Sequence, residues 1–222
     1  MLGQGIYRVA EVSRFTHLNA NQVRTWFKQR SDVADDSPVF AADYEPVNGD
    51  FAVSFYDLID VLVAGEFRDR YGVPMHTVRR AHGLLQTRLN TKHPFCHSDL
   101  YTDGRRIFLC VANELNEEIL SDVVSRQQFF LHIREKLDHV DYNELTKLAR
   151  RWRIARGVVI DPSISLGKPT IENTGITTYV VANQYYANSQ NAALVADLYG
   201  IREKDVGNAV EFEKQYGGRR AA

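Results

Sequence analysis

Cysteine, methionine and tryptophan are scarce in this 222-residue chain, with two of each. Two thiols, Cys96 and Cys110, are far fewer than the cysteine-dense pattern of a small secreted scaffold, and a sizeable buried core is expected instead. No apolar run approaches the roughly 20 residues that a helical membrane span needs. There is no charged-then-apolar leader either, and the expectation is a cytoplasmic protein without a membrane partner. An excess of one charge is missing as well: 27 Lys and Arg stand against 28 Asp and Glu. Attraction to nucleic acid through the field of the whole molecule is thereby excluded, and any DNA contact must come from local clustering.

Metal and catalytic signatures are also absent. His93 and His97 stand at an H-x3-H spacing, but Cys96 and Cys110 make no C-x2-C pair to complete a common zinc-site pattern, so no metal site is expected. Asp32, Asp35 and Asp36 have no further carboxylates at loop-ligand spacing and read as a solvated acidic loop. The chain has no G-x-S-x-G, no phosphate-cradling glycine loop and no H-E-x-x-H. Glu211 and Glu213 fall on different faces of one helix, and His132 and His139 are isolated. No catalytic residue, no cofactor and no enzyme activity are expected.

With 44% hydrophobic and 25% charged residues, the chain is that of an ordinary globular protein with a sizeable core. Near its start, Tyr7-Arg8-Val9-Ala10-Glu11-Val12 leads through Leu18-Asn19 into Asn21-Gln22-Val23-Arg24-Thr25-Trp26-Phe27-Lys28. This is a helix-turn-helix pattern. Asn19 is placed to N-cap the second helix, with Gln22 as its capping-box partner, while Val23, Trp26 and Phe27 share the inward face. Asn19, Asn21, Gln22, Arg24, Thr25 and Lys28 are left as candidate DNA-binding residues, able to reach base edges or phosphates from a helix in the major groove. The stretch from Ser31 to Asp50, with its Asn48-Gly49 turn, reads as a wing.

Ser54 and Asp57 predict a capped helix with Leu58, Ile59, Leu62 and Phe67 inward, ending at Tyr71-Gly72. Pro74 opens a basic helix on which Thr77, Arg79 and Arg80 are expected at the surface; the arginines either touch phosphate or are simply ion-paired. The Asp103-Gly104 pair between Leu100-Tyr101-Thr102 and Ile107-Phe108-Leu109-Cys110-Val111 predicts a hairpin, with Arg105 and Arg106 beside its tip as further phosphate candidates. From Leu115 to Trp152 the pattern is helical, with Phe130, Ile133 and Leu137 in one stripe and Leu145, Leu148 and Trp152 in another. A short strand at Gly157 to Pro162, an irregular hairpin at Gly167 to Thr178, and helices over 179–186, 191–199 and 203–216 complete the chain.

The expected fold is therefore mainly α with short β-hairpins. It comprises a winged helix-turn-helix region at 1–112, a helical connecting region at 113–156, a small trihelical domain preceded by a β-hairpin at 157–216, and a flexible tail at 217–222.

The segments Ile160-Asp161-Pro162, Gly167-Lys168-Pro169-Thr170-Ile171, Gly175-Ile176-Thr177-Thr178 and Val206-Gly207-Asn208-Ala209-Val210-Glu211-Phe212-Glu213 resemble, in order and spacing, a small antitoxin domain first catalogued as domain of unknown function 433. One run departs from that pattern: many members carry Gly-Thr-Arg-Ile where this chain has Asn173-Thr174-Gly175-Ile176. Tyr7 to Val12, Val23-Arg24-Thr25-Trp26, His93-Pro94-Phe95 and Thr102-Asp103-Gly104-Arg105 resemble a MerR-like winged helix-turn-helix. Together they make the chain similar to VapB-like antitoxins of type II toxin-antitoxin modules. That resemblance implies a homodimer that binds the operator DNA of its own operon and inhibits a cognate PIN-like ribonuclease toxin. Arg219 and Arg220, behind Gly217-Gly218, are the candidate toxin-binding residues, since a guanidinium can pair with clustered nuclease carboxylates; a frayed terminus is the competing reading. The alternative function is a stand-alone MerR-like transcriptional regulator whose C-terminal domain dimerises or senses a ligand.

Overall fold

A computed structural model describes residues 5–28, 38–47, 49–125, 131, 133–135 and 137–217, with backbone alone at 101–104, 122 and 125. The chain is mostly helical with small antiparallel sheets. It divides into two compact units, one spanning Tyr7–Arg150 and the other built on the residues from Arg151 onward together with Ile6.

In the first unit β1 (Tyr7–Arg8) runs directly into α1 (Val9–Thr16), and α2 (Ala20–Phe27) follows a tight turn in which His17 takes the left-handed conformation, φ 59°. Val9, Val12, Phe15 and Leu18 are buried beside Val23, Trp26 and Phe27, as the helical spacing requires. Asn19 caps α2 by accepting the Asn21 N–H at 2.8 Å. The expected capping-box bond from Gln22 is not formed; its amide instead donates to Asp69 at 2.9 Å.

Asp32, Asp35 and Asp36 lie outside the described residues. From Pro38 onward the expected wing is not a simple hairpin. Val47 and Asp50 exchange backbone hydrogen bonds of 2.9 and 3.1 Å across a tight turn, in which Gly49 adopts φ +78°. The following strand, β2 (Ala52–Val53), pairs antiparallel with β1.

Helix α3 (Phe55–Gly65) carries the predicted box, with Ser54 accepting the Asp57 N–H and Asp57 accepting the Ser54 N–H. It is buried on nearly every side and runs into a π-helical turn, Glu66–Arg70. After it come α4 (Met75–Leu89), a short turn at Pro94–Cys96, α5 (Ser98–Leu115) and α6 (Glu118–Ser125). Ile133 and Leu137, two residues of the expected stripe, are buried, while Phe130 lies outside the described residues.

Helix α5 replaces the hairpin expected over 100–111. A glycine within a helix costs about 1 kcal/mol, whereas each large apolar side chain fully buried contributes about 1.5–3 kcal/mol. Leu100, Phe108, Val111 and Ala112 are all buried along one helical stripe, so their burial outweighs the turn preference of Asp103-Gly104. Arg105 and Arg106 consequently sit on an exposed helix surface and not beside a turn.

The expected helical stripe through Leu145, Leu148 and Trp152 is also overturned. The segment forms β3 (Val140–Tyr142), a turn, and β4 (Ala149–Ala155). Asn143 builds the turn by accepting the N–H groups of Leu145 and Thr146 at 2.9 and 3.0 Å, which leaves Leu145 94% exposed.

In the second unit Trp152 and Ala155 of β4 face Ile160 and Val158 of β5 (Val158–Ile160), and β5 pairs with β6 (Thr170–Ile171). Gly157 turns the chain at φ +67°; a Cβ there would lie 2.6 Å from the Asn208 amide nitrogen. Three helices follow within a residue or so of the expected bounds: α7 (Thr178–Ala187), α8 (Ala192–Tyr199) and α9 (Glu203–Tyr216). Asn191 caps α8 through the Leu194 N–H at 3.0 Å, and Gly200 stops it at φ 63°. Ile171, Val181, Val195, Val206 and Val210 form the core of this unit.

The core of the first unit makes a direct stability prediction. Phe95 is fully buried, with ring centroids of His82, Phe67 and Phe108 at 5.0, 6.1 and 6.2 Å. Phe95→Ala is expected to destabilise the protein by about 3–5 kcal/mol, measured as the shift in a denaturant unfolding midpoint; a loss below 1 kcal/mol would contradict this packing.

Candidate nucleic-acid interface and a buried ion network

Helix α2 presents Asn21, Thr25 and Lys28 to solvent, with Gln22 and Arg24 half-buried between them. Four of these side chains are engaged within the protein. Thr25 Oγ1 donates to the Gln22 carbonyl at 2.7 Å, and Gln22 is tied to Asp69. Arg24 forms a two-point bond with Asp50, Nε to Oδ1 at 2.9 Å and Nη2 to Oδ2 at 2.8 Å. Its Nη1 also donates to Asn21 Oδ1 at 3.3 Å. Hydrogen bonding to Arg24 holds the Asp50 carboxyl below its ordinary range.

The second set of candidates is organised differently. Arg80 pairs with Glu117 and donates to the Leu115 carbonyl at 3.1 Å, and Arg88 pairs with Glu114 at 2.6 Å. The carboxylates near the end of α5 thus answer the basic face of α4. Thr77, expected at the surface, is buried and donates to Glu117 at 3.2 Å. Arg79 is half-buried, and Arg105 and Arg106 are exposed on α5. Arg219 and Arg220 lie outside the described residues.

Inside the same unit lies a group of ionisable side chains that the sequence reading did not assemble. His93 donates from Nδ1 to Asp60 at 2.8 Å and from Nε2 to Asp43 at 3.2 Å, so its ring is held as an imidazolium between two carboxylates. Asp43 also receives Lys92 Nζ and Ser54 Oγ, both at 2.6 Å. Asp60 accepts the Phe95 N–H at 3.1 Å and lies 3.7 Å from His82 Nε2. Asp57 accepts the N–H groups of Ser54 and Asp43 on one oxygen, at 3.0 and 3.2 Å. Its other oxygen is buried 3.8 Å from His93 Nδ1.

Burial works against every one of these charges, and the pairing decides the outcome. It is overcome at His93, which the two carboxylates raise to about 10, and at Asp43, which His93, Lys92 and Ser54 hold well below the usual range. Burial prevails at Asp57, whose carboxyl is pushed up to about 6. Asp60 is lowered, despite complete burial, by His82 and His93. Asp43, Asp57 and His93 are the described residues close enough to hold a metal ion together. Both ring nitrogens already face carboxylates, however, and a cation would have to displace a strongly held proton. The arrangement serves as an ion network joining the loop at Asp43, helix α3 and the segment at His93.

One signal in the sequence pointed to this network. Asp57 and Asp60, at i and i+3, share one face of an otherwise apolar helix, and carboxylates buried with such a helix need partners of opposite charge. The partners Asp50 and Asp69 of the α2 side chains carried no comparable signal.

Comparison with known proteins follows the same division of the chain. Residues 158–212 match the family described as Protein of unknown function (DUF433). Over 228 residues the chain is 24% identical to Uncharacterized protein Rv2308 of Mycobacterium tuberculosis (strain ATCC 25618 / H37Rv), covering 97% of this chain and 93% of that protein. Its fold is similar to the X-ray crystal structure of Rv2018 from Mycobacterium tuberculosis, with a TM-score of 0.72 and 24% identity over 92% of this chain and 96% of that one. Among the described residues, no helix is long and apolar enough to cross a membrane.

The ion network predicts a pH response. With its folded-state value raised to about 10, His93 contributes stability that is complete below the ordinary histidine value and is lost as pH rises toward 10. His93→Gln, which leaves buried carboxylates without their counter-charge, is expected to cost about 3–5 kcal/mol at neutral pH. It should also flatten the decline in melting temperature between pH 7 and 10. A variant that keeps the wild-type decline would remove His93 as its cause.

Proposed function

We propose that this chain is an antitoxin of a type II toxin-antitoxin module, which binds operator DNA as a homodimer through α2 and blocks a PIN-like ribonuclease through its C-terminal unit. The observation that carries the DNA half is the two-sided character of α2. Val23, Trp26 and Phe27 are sealed in the core, while Asn21, Thr25 and Lys28 face outward on a helix that follows α1 across a three-residue turn. A groove-reading helix needs that division.

The toxin half is supported by the match of residues 158–212 and by the surface of the unit that contains them. Tyr179, Val180, Leu194 and Leu198 are 64, 39, 47 and 61% exposed on α7 and α8, so both helices show large apolar side chains to water. Such a surface suits a protein partner.

Affinity capture of the tagged chain from its host, with and without nuclease treatment, tests both halves. A small nuclease with a carboxylate-rich site is expected in both samples, and operator DNA only in the untreated one. Recovery of neither would remove the proposal. Arg24→Ala is expected to cost about 1–3 kcal/mol of operator affinity and to relax preference at one base pair. Lys28→Ala should weaken all duplexes alike and lower the salt slope by about one. Truncation after Tyr216 is expected to relieve toxin inhibition while operator binding persists; full inhibition by the shortened chain would exclude the tail from the mechanism.

A further inference from the structure

The bond between Arg24 and Asp50 is more specific than a surface ion pair. A guanidinium has five N–H donors in a fixed plane. Asp50 takes the side edge, made of Nε and one hydrogen of Nη2, and Asn21 takes one hydrogen of Nη1. Among the described residues these are the partners the structure shows, and they leave one N–H on each terminal nitrogen. The hydrogen left on Nη2 points off the end of the side chain, and Nη1 keeps one donor beside it. The carboxylate that fixes the plane is itself held: Phe51 N–H donates to Asp50 Oδ1 at 3.0 Å, and the Asp50 backbone closes the tight turn with Val47. Phe51 packs on Phe27, with ring centroids 5.9 Å apart, so the turn rests on the inner face of the very helix that bears Arg24. The pair is 40% exposed on each side, which leaves the guanidinium reachable from solvent.

A pair of donors at the end of a long cationic side chain matches the O6 and N7 acceptors that guanine shows in the major groove. We infer that Asp50 is a positioning residue for base recognition, fixing Arg24 so that its terminal N–H pair reads a guanine. This inference rests on the proposal that α2 reads DNA. Asp50 itself touches no base; it sets the plane and the reach of the group that does. An arginine without this support could swing between phosphate and base, whereas a clamped one is committed to a single geometry.

The test uses the full chain and duplexes selected by it from a randomised pool. Wild type is expected to enrich a site with one guanine per half-site that tolerates no other base. Replacing that guanine with 7-deazaguanine, which lacks the N7 acceptor, should weaken binding about tenfold. Asp50→Asn and Arg24→Lys should each reduce the ratio of affinities for the guanine site and its adenine-substituted form by about tenfold. Lys28→Ala should weaken both forms alike and leave the ratio standing. Asp50→Glu should restore part of the ratio, which a merely structural carboxylate would not do.

Retention of the wild-type ratio by Asp50→Asn overturns the inference and leaves DNA reading intact. So does a uniform gain in affinity for every duplex, which would make Asp50 only a repulsive charge. Should Asp50→Asn fail to fold, insensitivity of the wild-type protein to 7-deazaguanine, or an undiminished guanine preference in Arg24→Lys, overturns it equally. A wild-type chain that binds no duplex would overturn the DNA-reading proposal itself.

Discussion

One imidazolium held between two carboxylates anchors the first unit. Asp43 comes from the loop before β2, Asp60 from the centre of α3, and His93 from the segment before the Pro94–Cys96 turn. Moving a charge out of water costs several kcal/mol unless a partner and hydrogen bonds meet it, and Asp57 and Asp60 are each 1% exposed or less. The network makes that burial tolerable, and the benefit extends beyond the ions. The loop anchored at Asp43 also carries Phe40, whose ring lies 6.2 Å from Trp26 and 5.6 Å from Phe27. The inner face of α2 is therefore covered by a loop whose own attachment is ionic.

The surface follows a related rule. A chain with almost no net charge still holds many arginines, and the structure spreads them as local pairs: Arg24 with Asp50, Arg80 with Glu117, Arg88 with Glu114. A protein so balanced projects little long-range field. Recognition by α2, as proposed, would then depend on shape and donor placement close to the groove, with Lys28 supplying the local charge.

What could be read from the residues was what local chemistry decides. The box at Ser54 and Asp57, the Asn19 cap and the three C-terminal helices each depend on a few neighbouring side chains. The errors arose where distant packing overrode a local preference. Asp103-Gly104 favours a turn, yet the apolar stripe from Leu100 to Ala112 is satisfied only by a helix. Leu145, Leu148 and Trp152 share a helical spacing by coincidence, while the alternation around Trp152 belongs to a strand. The ion network was hidden for a simpler reason. Its members lie 33 and 50 residues apart, and no spacing rule connects them. The partner of Arg24 was equally remote, 26 residues downstream.

The clamp on Arg24 has a thermodynamic side. A free arginine carries about 2 kcal/mol of rotamer entropy, which an unsupported side chain must surrender at the moment of docking. Here the folding of the tight turn at Val47 to Asp50 has already removed much of that freedom, before any partner arrives. A reader prepared in this way loses little order on association, so its discrimination between sequences is expressed chiefly in how slowly the correct complex comes apart.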